Sequence, residues 1–178
     1  MDFTRPTQED LDTVTRQLGR KPARVVGVAA RCPAGHPSVV VNYPVHRKEK
    51  RLLPFPTLFW LTCPELIRAI SRLEMRGLIR ELDERLERDD EFATSLWNDH
   101  EAYIRERWGL LSPADQTAIE TGGMKDVFLE RGIGGLGHMR SVKCLHLHFA
   151  HHLATSNVIG ALLEDDHAVH PCVGPSTD

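Results

Sequence analysis

The stretch Ser141-Val-Lys-Cys-Leu-His-Leu-His-Phe-Ala-His-His-Leu-Ala154 decides how the rest of this chain is interpreted. It places one cysteine and four of the ten histidines in a segment that otherwise has the pattern of a buried helix. Because an α-helix turns by about 100° per residue, Cys144, His148 and His151 are expected on one face, with His146 pointing elsewhere. A thiolate and an imidazole four residues apart can bind one metal ion, so the segment predicts a ligand or acid–base site.

The composition is that of an ordinary globular protein, without the charge signature of a nucleic-acid partner. Of 178 residues, 41% are hydrophobic and 26% are charged, and the formal net charge is −3. A nucleic-acid-binding surface would need a basic surplus, and a membrane-spanning helix would need a run of about 20 apolar residues. The sequence has neither, and its first residues lack the apolar core of a signal peptide. We therefore expect a cytoplasmic protein with no nucleic-acid partner and no membrane partner.

The expected compartment decides how the four cysteines, Cys32, Cys63, Cys144 and Cys172, are interpreted. Disulfide bonds are rare in the reducing cytoplasm, so thiols or metal ligands are the expected roles. Cys63 lies at the predicted start of a helix, where backbone N–H groups favour the thiolate form. No Cys-x-x-Cys pair is present, so the residue types, and not a spacing motif, indicate a metal.

Three short segments rich in β-branched or aromatic residues predict a small antiparallel sheet. They cover residues 23–30, 38–43 and 57–62. The first two are expected to form a hairpin with Cys32 in or beside its loop, and the basic segment 46–51 is expected to be a solvated loop. Because helical patterns fill the remainder, the predicted fold is α+β, with the sheet at about residues 23–62 packed against a predominantly helical remainder.

Capping residues predict where several helices begin and end. Thr7 predicts the first turn of a helix that Gly19 ends, and Ser112 predicts another start. Thr62 is the expected N-cap of the helix that begins near Pro64. The helical remainder is therefore expected to consist of separate helices with defined ends.

Glycines are concentrated just before the segment at residues 141–154, at Gly122-Gly123 and at Gly132-Ile-Gly-Gly-Leu-Gly137. Glycine runs ahead of a helix can bind phosphate through backbone N–H groups. This run does not end in the Lys-Ser/Thr pair of a Walker motif, and it does not follow a clear strand. It therefore does not predict a nucleotide site. We expect a flexible lid, with a small anionic ligand at the Gly-rich loop.

Three interpretations of the Cys/His segment are open on the residues alone. The first is a metal site in which Cys32 and Cys63 complete a set begun by Cys144 and His148, since zinc in a structural site takes four ligands. The second is a core helix with hydrogen-bonded histidines. The third is a metal-free enzyme with a cysteine nucleophile and a histidine base.

Several short runs along the chain resemble the bacterial family known as DUF501. The runs are QLGR (17–20), Arg31-Cys32 with Gly35, PFPTLFWLTCP (54–64), SRLE (71–74), HEAY (100–103) and VKCLHLHFAH (142–151). The resemblance covers about residues 10–165, in order. It implies no reaction, because the family is named for having no assigned function.

The resemblance implies which candidate residues matter, namely Cys32, Cys63, Cys144, His146 and His151. Some members have a histidine in place of Cys63, a replacement that suits a metal ligand better than a nucleophile. Cys144 and His151 lie two turns apart, about 10 Å along a helix axis, which is too far to share one ion. Cys144 is therefore expected as a ligand, and His151 as a supporting or acid–base group. Three convergent thiolates would also suit an iron–sulfur cluster.

The sequence thus predicts one α+β domain at residues 1–165 and a tail at residues 166–178 that is flexible or closes the metal site through Cys172. The expected metal ligands are Cys32, Cys63, Cys144 and His148, the expected catalytic residues are His146 and His151, and the expected cofactor is zinc or an iron–sulfur cluster. The protein would then be an enzyme acting on a small anionic substrate. The alternatives are a metal-free Cys/His enzyme and a domain with a structural metal site that binds a protein partner or a second copy.

Overall fold

The computed structural model describes residues 1–48 and 51–170. Its helices are α1 (Gln8–Leu18), α2 (Pro64–Met75), α3 (Leu78–Arg88), α4 (Asp90–Gly109), α5 (Pro113–Thr121), α6 (Lys125–Leu129), α7 (Leu145–Ala154) and α8 (Val158–Asp165), with a short 3-10 helix at Ile133–Gly135. Its strands are β1 (Val25–Arg31), β2 (Pro37–Asn42), β3 (Val45–Lys48), β4 (Arg51–Pro54) and β5 (Phe59–Leu61). Along the chain, the strands follow α1 and precede the remaining helices, so strands and helices are largely segregated. The α+β class predicted from the sequence is therefore confirmed.

A three-stranded antiparallel sheet forms the β layer, in the order β1–β2–β5. Val28 of β1 pairs with Val40 of β2, which pairs on its other side with Trp60 of β5. The central strand β2 is buried along its whole length, which explains its uninterrupted run of valines. The β1–β2 hairpin places Cys32 directly after β1, as the sequence predicts.

The basic segment at residues 46–51, expected to be a solvated loop, takes part in a second hairpin. β3 pairs with β4 in antiparallel register, with Val45 opposite Pro54. Val45 is buried in a small apolar cluster with Leu111, Ile119 and Phe128. The loop prediction is wrong for the described part of this segment, because Val45 and Leu52 pack in this cluster and Arg47 donates to the carboxylate of Asp115. Residues 49 and 50 lie outside the described residues.

Helix caps agree with the sequence at α1 and differ at α2. The Thr7 hydroxyl accepts the backbone N–H of Asp10, the Asp10 carboxylate accepts that of Thr7, and Gly19 ends the helix with a φ of 66°. At α2 the N-cap residue is Cys63 and not Thr62. The Thr62 hydroxyl instead donates to a backbone carbonyl of β2 at 3.1 Å, because Thr62 still extends the sheet.

Helix α7 lies in the main core, in contact with the sheet, α2 and α8. Leu145, Phe149 and Ala150 are completely buried there, together with Ile159 and Leu163 of α8. Burying a large apolar side chain of this kind stabilises the folded state by about 1.5–3 kcal/mol. The stretch that carries the cysteine and the histidines is therefore held firmly by its apolar neighbours.

Within residues 1–48 and 51–170, no helix combines the length and the apolar character needed to cross a membrane. Residues 171–178, and with them Cys172, lie outside the described residues. The role of Cys172 and the division of the chain at residue 165 stay predictions.

Candidate functional site

The start of α7 determines the geometry around Cys144. The helix begins at Leu145, and Cys144 precedes it as the N-cap residue with extended backbone angles (φ −161°, ψ 120°). Cys144 therefore does not lie on the helix face that carries His148, and the predicted pair one helical turn apart is wrong. The thiol lies instead beside the ring of His146, with Sγ 3.6 Å from Nδ1.

Glu74 completes a cluster of three residues at this position. It lies in the last turn of α2, and its Oε1 accepts the backbone N–H of Leu145 at 2.7 Å. The same oxygen is 3.2 Å from Nδ1 of His146. The ligand-type atoms of Glu74, Cys144 and His146 all lie within 4.8 Å of one another, and among the described residues no other three histidine, cysteine or acidic side chains meet so closely.

The other ring nitrogen of His146 is held by α2. Nε2 lies 3.2 Å from the carbonyl oxygen of Ile67 and 3.2 Å from Oγ of Ser71. Since a carbonyl oxygen can only accept, we assign the hydrogen to Nε2, which donates it to Ile67. Nδ1 then faces Cys144 and Glu74.

Electron-rich atoms of Cys144, His146 and Glu74 therefore converge on one point. A carboxylate oxygen has no hydrogen to donate, so a bare lone pair on Nδ1 at 3.2 Å would be repelled. A proton on Nδ1, or a cation between the atoms, removes this repulsion. Burial lowers the pKa of His146, but the hydrogen bond with Cys144 and the charge of Glu74 outweigh it and raise that pKa to about 9. The geometry and the charges thus favour a positive species at this point.

The cluster is partly exposed to solvent. The side chains of His146 and Glu74 keep 21% and 25% of their surface exposed, and Cys144 is only partly buried. An ion held by these three residues would keep a coordination position for water or a ligand. In zinc proteins, three protein ligands with one open position are typical of catalytic sites, and four protein ligands are typical of structural ones.

The other predicted ligands lie elsewhere. Cys32 is buried in the β1–β2 turn, and Cys63 is buried at the start of α2. His148 is completely buried in α7. None of the three joins the cluster around Cys144, so the structure does not bring the predicted ligand set of Cys32, Cys63, Cys144 and His148 together.

His100 of α4 forms a second, completely buried cluster with His148 and His151 of α7. The rings of His100 and His148 are 5.9 Å apart and nearly perpendicular, and Nδ1 of His100 accepts the backbone N–H of Ile133 at 3.0 Å. Within the described part of the chain, neither ring nitrogen of His148 makes a hydrogen bond of good geometry, although the nearby Asn157 amide favours its charged form slightly. Burial lowers the pKa of His100 to about 4 and that of His148 to about 3. Both rings are therefore neutral at pH 7.

His151 belongs to a chain of polar contacts whose direction can be assigned. Oδ1 of Asn157 accepts two backbone N–H groups of α8, so its Nδ2 faces Nδ1 of His151 at 3.3 Å. Nδ1 is therefore the acceptor, and the hydrogen is on Nε2, which lies 3.3 Å from Oε2 of Glu106. This residue, predicted to be catalytic, thus lies in an Asn157–His151–Glu106 chain and not in the cluster around Cys144.

Two contacts tie the Gly-rich loop, expected to be a lid over a small anionic ligand, to its neighbours. Gly132 approaches His100 so closely that an added Cβ would lie 2.4 Å from the ring nitrogen Nδ1. Nζ of Lys143 donates to the carbonyl of Gly134 at 2.9 Å. Because Lys143 directly precedes Cys144, this side chain connects the loop to the cluster. The lid and its ligand stay predictions.

The sequence predicted Cys144 as a metal ligand and His146 as a catalytic residue, and it did not predict Glu74, which lies with them in the structure. The available signal was the spacing of Ile67, Ser71 and Glu74, which places a carbonyl, a hydroxyl and a carboxylate along one side of α2. Glu106 and Asn157 were also missed, because no local pattern connects them to His151.

Comparison with protein-family models assigns the chain to a family. The family model described as "Protein of unknown function (DUF501)" matches residues 28–165, which is well over half of the chain and includes Glu74, Cys144 and His146. No curated protein and no solved structure shows significant similarity to the chain. The chain therefore belongs to the DUF501 family of proteins of unknown function.

Proposed function

We propose that this protein binds one zinc ion through Glu74, Cys144 and His146. The observation that carries the proposal is the convergence of three ligand-type atoms within 4.8 Å. The hydrogen bond from Nε2 of His146 to Ile67 supports it, since metal-binding histidines almost always donate their other ring N–H. A mixed set of sulfur, nitrogen and oxygen ligands suits zinc, whereas iron–sulfur clusters are held mainly by cysteine thiolates.

Zinc would take the place of the proton on Nδ1 of His146. Because the pKa of this histidine is raised to about 9, the metal competes with a proton at neutral pH. The affinity for zinc should therefore increase with pH up to about pH 9 and change less above it.

The partial exposure of the cluster and its three ligands favour a catalytic ion over a purely structural one. Zinc lowers the pKa of a bound water to about 7 and so supplies a hydroxide nucleophile at neutral pH. Lys143 has no carboxylate partner in the described part of the chain and lies beside Cys144, where its charge would attract a small anionic substrate. The cytoplasm remains the expected location, because it keeps the thiol of Cys144 reduced.

The experiment is anaerobic purification followed by metal analysis and an absorption spectrum. We expect about one zinc per chain and no visible colour. Cys144→Ser and Glu74→Gln should lose most of the metal because each removes a ligand. Cys32→Ser, at a buried cysteine outside the cluster, is the matched control and should retain it.

Other outcomes separate the remaining interpretations. A broad brown absorption that disappears in Cys32→Ser would indicate that the thiolates hold an iron–sulfur cluster and not zinc. A chain that contains no metal and does not take up added zinc contradicts the proposal. The structural alternative predicts that the protein unfolds when its zinc is removed and that the zinc has no exchangeable coordination position. In that case a protein partner would bind elsewhere on the domain.

A second candidate function is nucleophilic catalysis by Cys144 without a metal. The specific observation is its thiol at the N-terminus of α7, 3.6 Å from Nδ1 of His146, since helix N-termini and basic neighbours activate thiols. In this case iodoacetamide would modify Cys144 rapidly in metal-free protein, and His146→Gln would slow the reaction. Protection of Cys144 by added zinc would favour the metal site instead.

A further inference from the structure

Helix α4 carries a stripe of residues on the side that does not face the core. At about 100° per residue, five positions lie within about 80° of one another around the helix axis, namely Asp90, Thr94, Trp97, Glu101 and Ile104. Their spacing alternates between four and three residues, which is the repeat along which two helices pack side by side. Trp97, at the centre of the stripe, is 47% exposed. The stripe therefore has the pattern of a helix–helix seam.

Trp97 separates two surface cavities and lines both of them. The larger, of about 400 Å³, lies between α4, α6 and the Gly-rich loop, with Ile104, Leu129 and Met139 among its walls. The smaller, of about 330 Å³, lies towards the start of α4 beside Arg140. Together they form one groove that follows α4 for about 22 Å.

The shape of this groove is self-complementary. A side chain that projects between two hollows can enter a hollow of an identical surface, and the partner's side chain then enters a hollow of the first. A two-fold interface requires such a match, because each copy presents the same patch to the other. Tryptophan, methionine and arginine, which are enriched in protein interfaces, line the groove as Trp97, Met139, Arg105 and Arg140.

The charges of the groove are arranged for an antiparallel pair of α4 helices. Asp90 lies seven residues before Trp97 and Arg105 eight residues after it. A two-fold axis at Trp97 therefore brings Asp90 of each copy opposite Arg105 of the other. The same axis brings the acidic end of the groove, with Glu101 and Glu130, to the end that carries Arg140.

These charges can be paired again across an interface at little cost. Within one chain Arg105 lies 3.7 Å from Glu101, and its side chain is 69% exposed. Arg140 lies 3.1 Å from Asp90, whose side chain is 93% exposed. Exposed ion pairs of this kind contribute little to stability, so exchanging them for pairs with a second copy loses little.

We propose that a second copy of this chain occupies the groove and forms a two-fold symmetric dimer through antiparallel α4 helices. Trp97 packs at the centre, and Asp90 of each copy pairs with Arg105 of the other at the two ends. The inference is independent of the zinc proposal, since no zinc ligand lines the groove.

The first test is sedimentation velocity of the full chain over a wide range of protein concentration, with a reductant that prevents disulfide cross-links. We expect a reversible equilibrium between monomer and dimer. Trp97→Ala should weaken the dimer at least tenfold, because central tryptophans dominate interfaces. Met75→Ala, at a methionine of α2 that is 79% exposed and lies outside the groove, is the matched control and should leave the equilibrium unchanged.

The second test reverses one charge in each of two variants. Arg105→Glu alone brings acidic groups together across the axis, and Asp90→Arg alone brings basic groups together. Each variant should therefore dimerise at least tenfold more weakly than the wild-type protein. An equimolar mixture should dimerise again, because both contacts then join opposite charges.

Three results would overturn the proposal. They are a wild-type chain that stays monomeric at every concentration, as it would if the groove served a different protein or a small ligand, a dimer that Trp97→Ala leaves unchanged, and a mixture that associates no better than its two variants. If Trp97→Ala does not fold, the mixing experiment decides.

Discussion

Gly132 lies so close to His100 that any side chain at this position would meet the ring. An added Cβ would be 2.4 Å from Nδ1 and 2.8 Å from Cγ. Gly132→Ala should therefore displace His100 and weaken its hydrogen bond from Ile133. We expect a loss of about 1–3 kcal/mol in the free energy of unfolding, measured by urea denaturation.

Gly137 is the matched control in the same loop. Among the described residues, a Cβ there would have no neighbouring atom within 4 Å. Gly137→Ala should change the free energy of unfolding by no more than about 0.5 kcal/mol. Equal losses in the two variants would mean that the loop does not pack on His100 as described.

At the residue scale, the sequence predicted the types of the site residues better than their grouping. Cys144 was predicted as a ligand from its residue type, and His146 was predicted as a catalytic residue through the family resemblance, while the helical pattern paired Cys144 with His148. Glu74 lies 70 positions earlier and resembles any surface carboxylate of a helix, so only the folded chain brings it to Leu145. Cys32 and Cys63 were grouped with Cys144 by residue type, and packing keeps both outside the cluster.

Asn157 links the beginning of α8 to α7. Its Oδ1 caps two backbone N–H groups of α8, and its Nδ2 contacts His151 at 3.3 Å. Asn157→Ala removes the cap and leaves a buried ring nitrogen without a partner. The expected loss in the free energy of unfolding is about 2–4 kcal/mol, measured by thermal and urea denaturation.

Ser112 provides the comparison for a helix cap that does not contact a histidine, although its hydroxyl also donates to Oδ2 of Asp115 at 2.9 Å. Its hydroxyl accepts the backbone N–H of Asp115 at 3.2 Å at the start of α5. Ser112→Ala should lose about 1 kcal/mol. A loss as large as that of Asn157→Ala would argue against a special role for the contact between Asn157 and His151.

At the scale of elements, boundaries set by local chemistry were predictable and those set by packing were not. The caps at Thr7 and Ser112 depend on neighbouring residues, and both are present. The start of α7 depends on Glu74 reaching the N–H of Leu145, a contact that no local pattern reveals. The second hairpin depends on an apolar surface formed by helices more than 60 residues later.

For the whole molecule, the buried histidines predict sensitivity to acid. In the folded chain burial lowers the pKa values of His100 and His148 from 6.5 to about 4 and about 3. The unfolded chain therefore binds more protons between about pH 6.5 and pH 4, and stability that is fully present above this window decreases as the pH falls through it. The expected slope is about 1.4 kcal/mol per pH unit for each histidine, measured by urea denaturation at several pH values.

Substitution of one buried histidine tests the origin of this slope. His148→Gln should remove one proton from the difference between the folded and unfolded states, so its stability should vary less with pH. His36→Gln, at an exposed histidine, is the matched control and should keep the wild-type slope. An unchanged slope in His148→Gln would show that other groups cause the acid sensitivity.

The overall class of the fold followed from the distribution of patterns along the whole chain. Short β-branched segments in the first third and helical periodicity in the rest predicted an α+β protein. The structure has a small antiparallel sheet in the order β1–β2–β5 and helices in the rest. The sequence left a core helix with hydrogen-bonded histidines open for α7, but no local pattern predicted that residues of α4 and of the start of α8 would join it. This polar interior arises only when His100, His151 and Asn157 meet in the core.

X-ray absorption spectroscopy at the zinc edge of anaerobically purified protein tests the central claim most directly, because it counts the sulfur atoms around the metal. Zinc held by Glu74, Cys144 and His146 should show one sulfur neighbour at about 2.3 Å, with nitrogen and oxygen neighbours at about 2.0–2.2 Å. Cys144→Ser should remove the sulfur signal, and Cys32→Ser should leave it. A sphere of three or four sulfur atoms, or a protein that binds no zinc, would contradict the site described here.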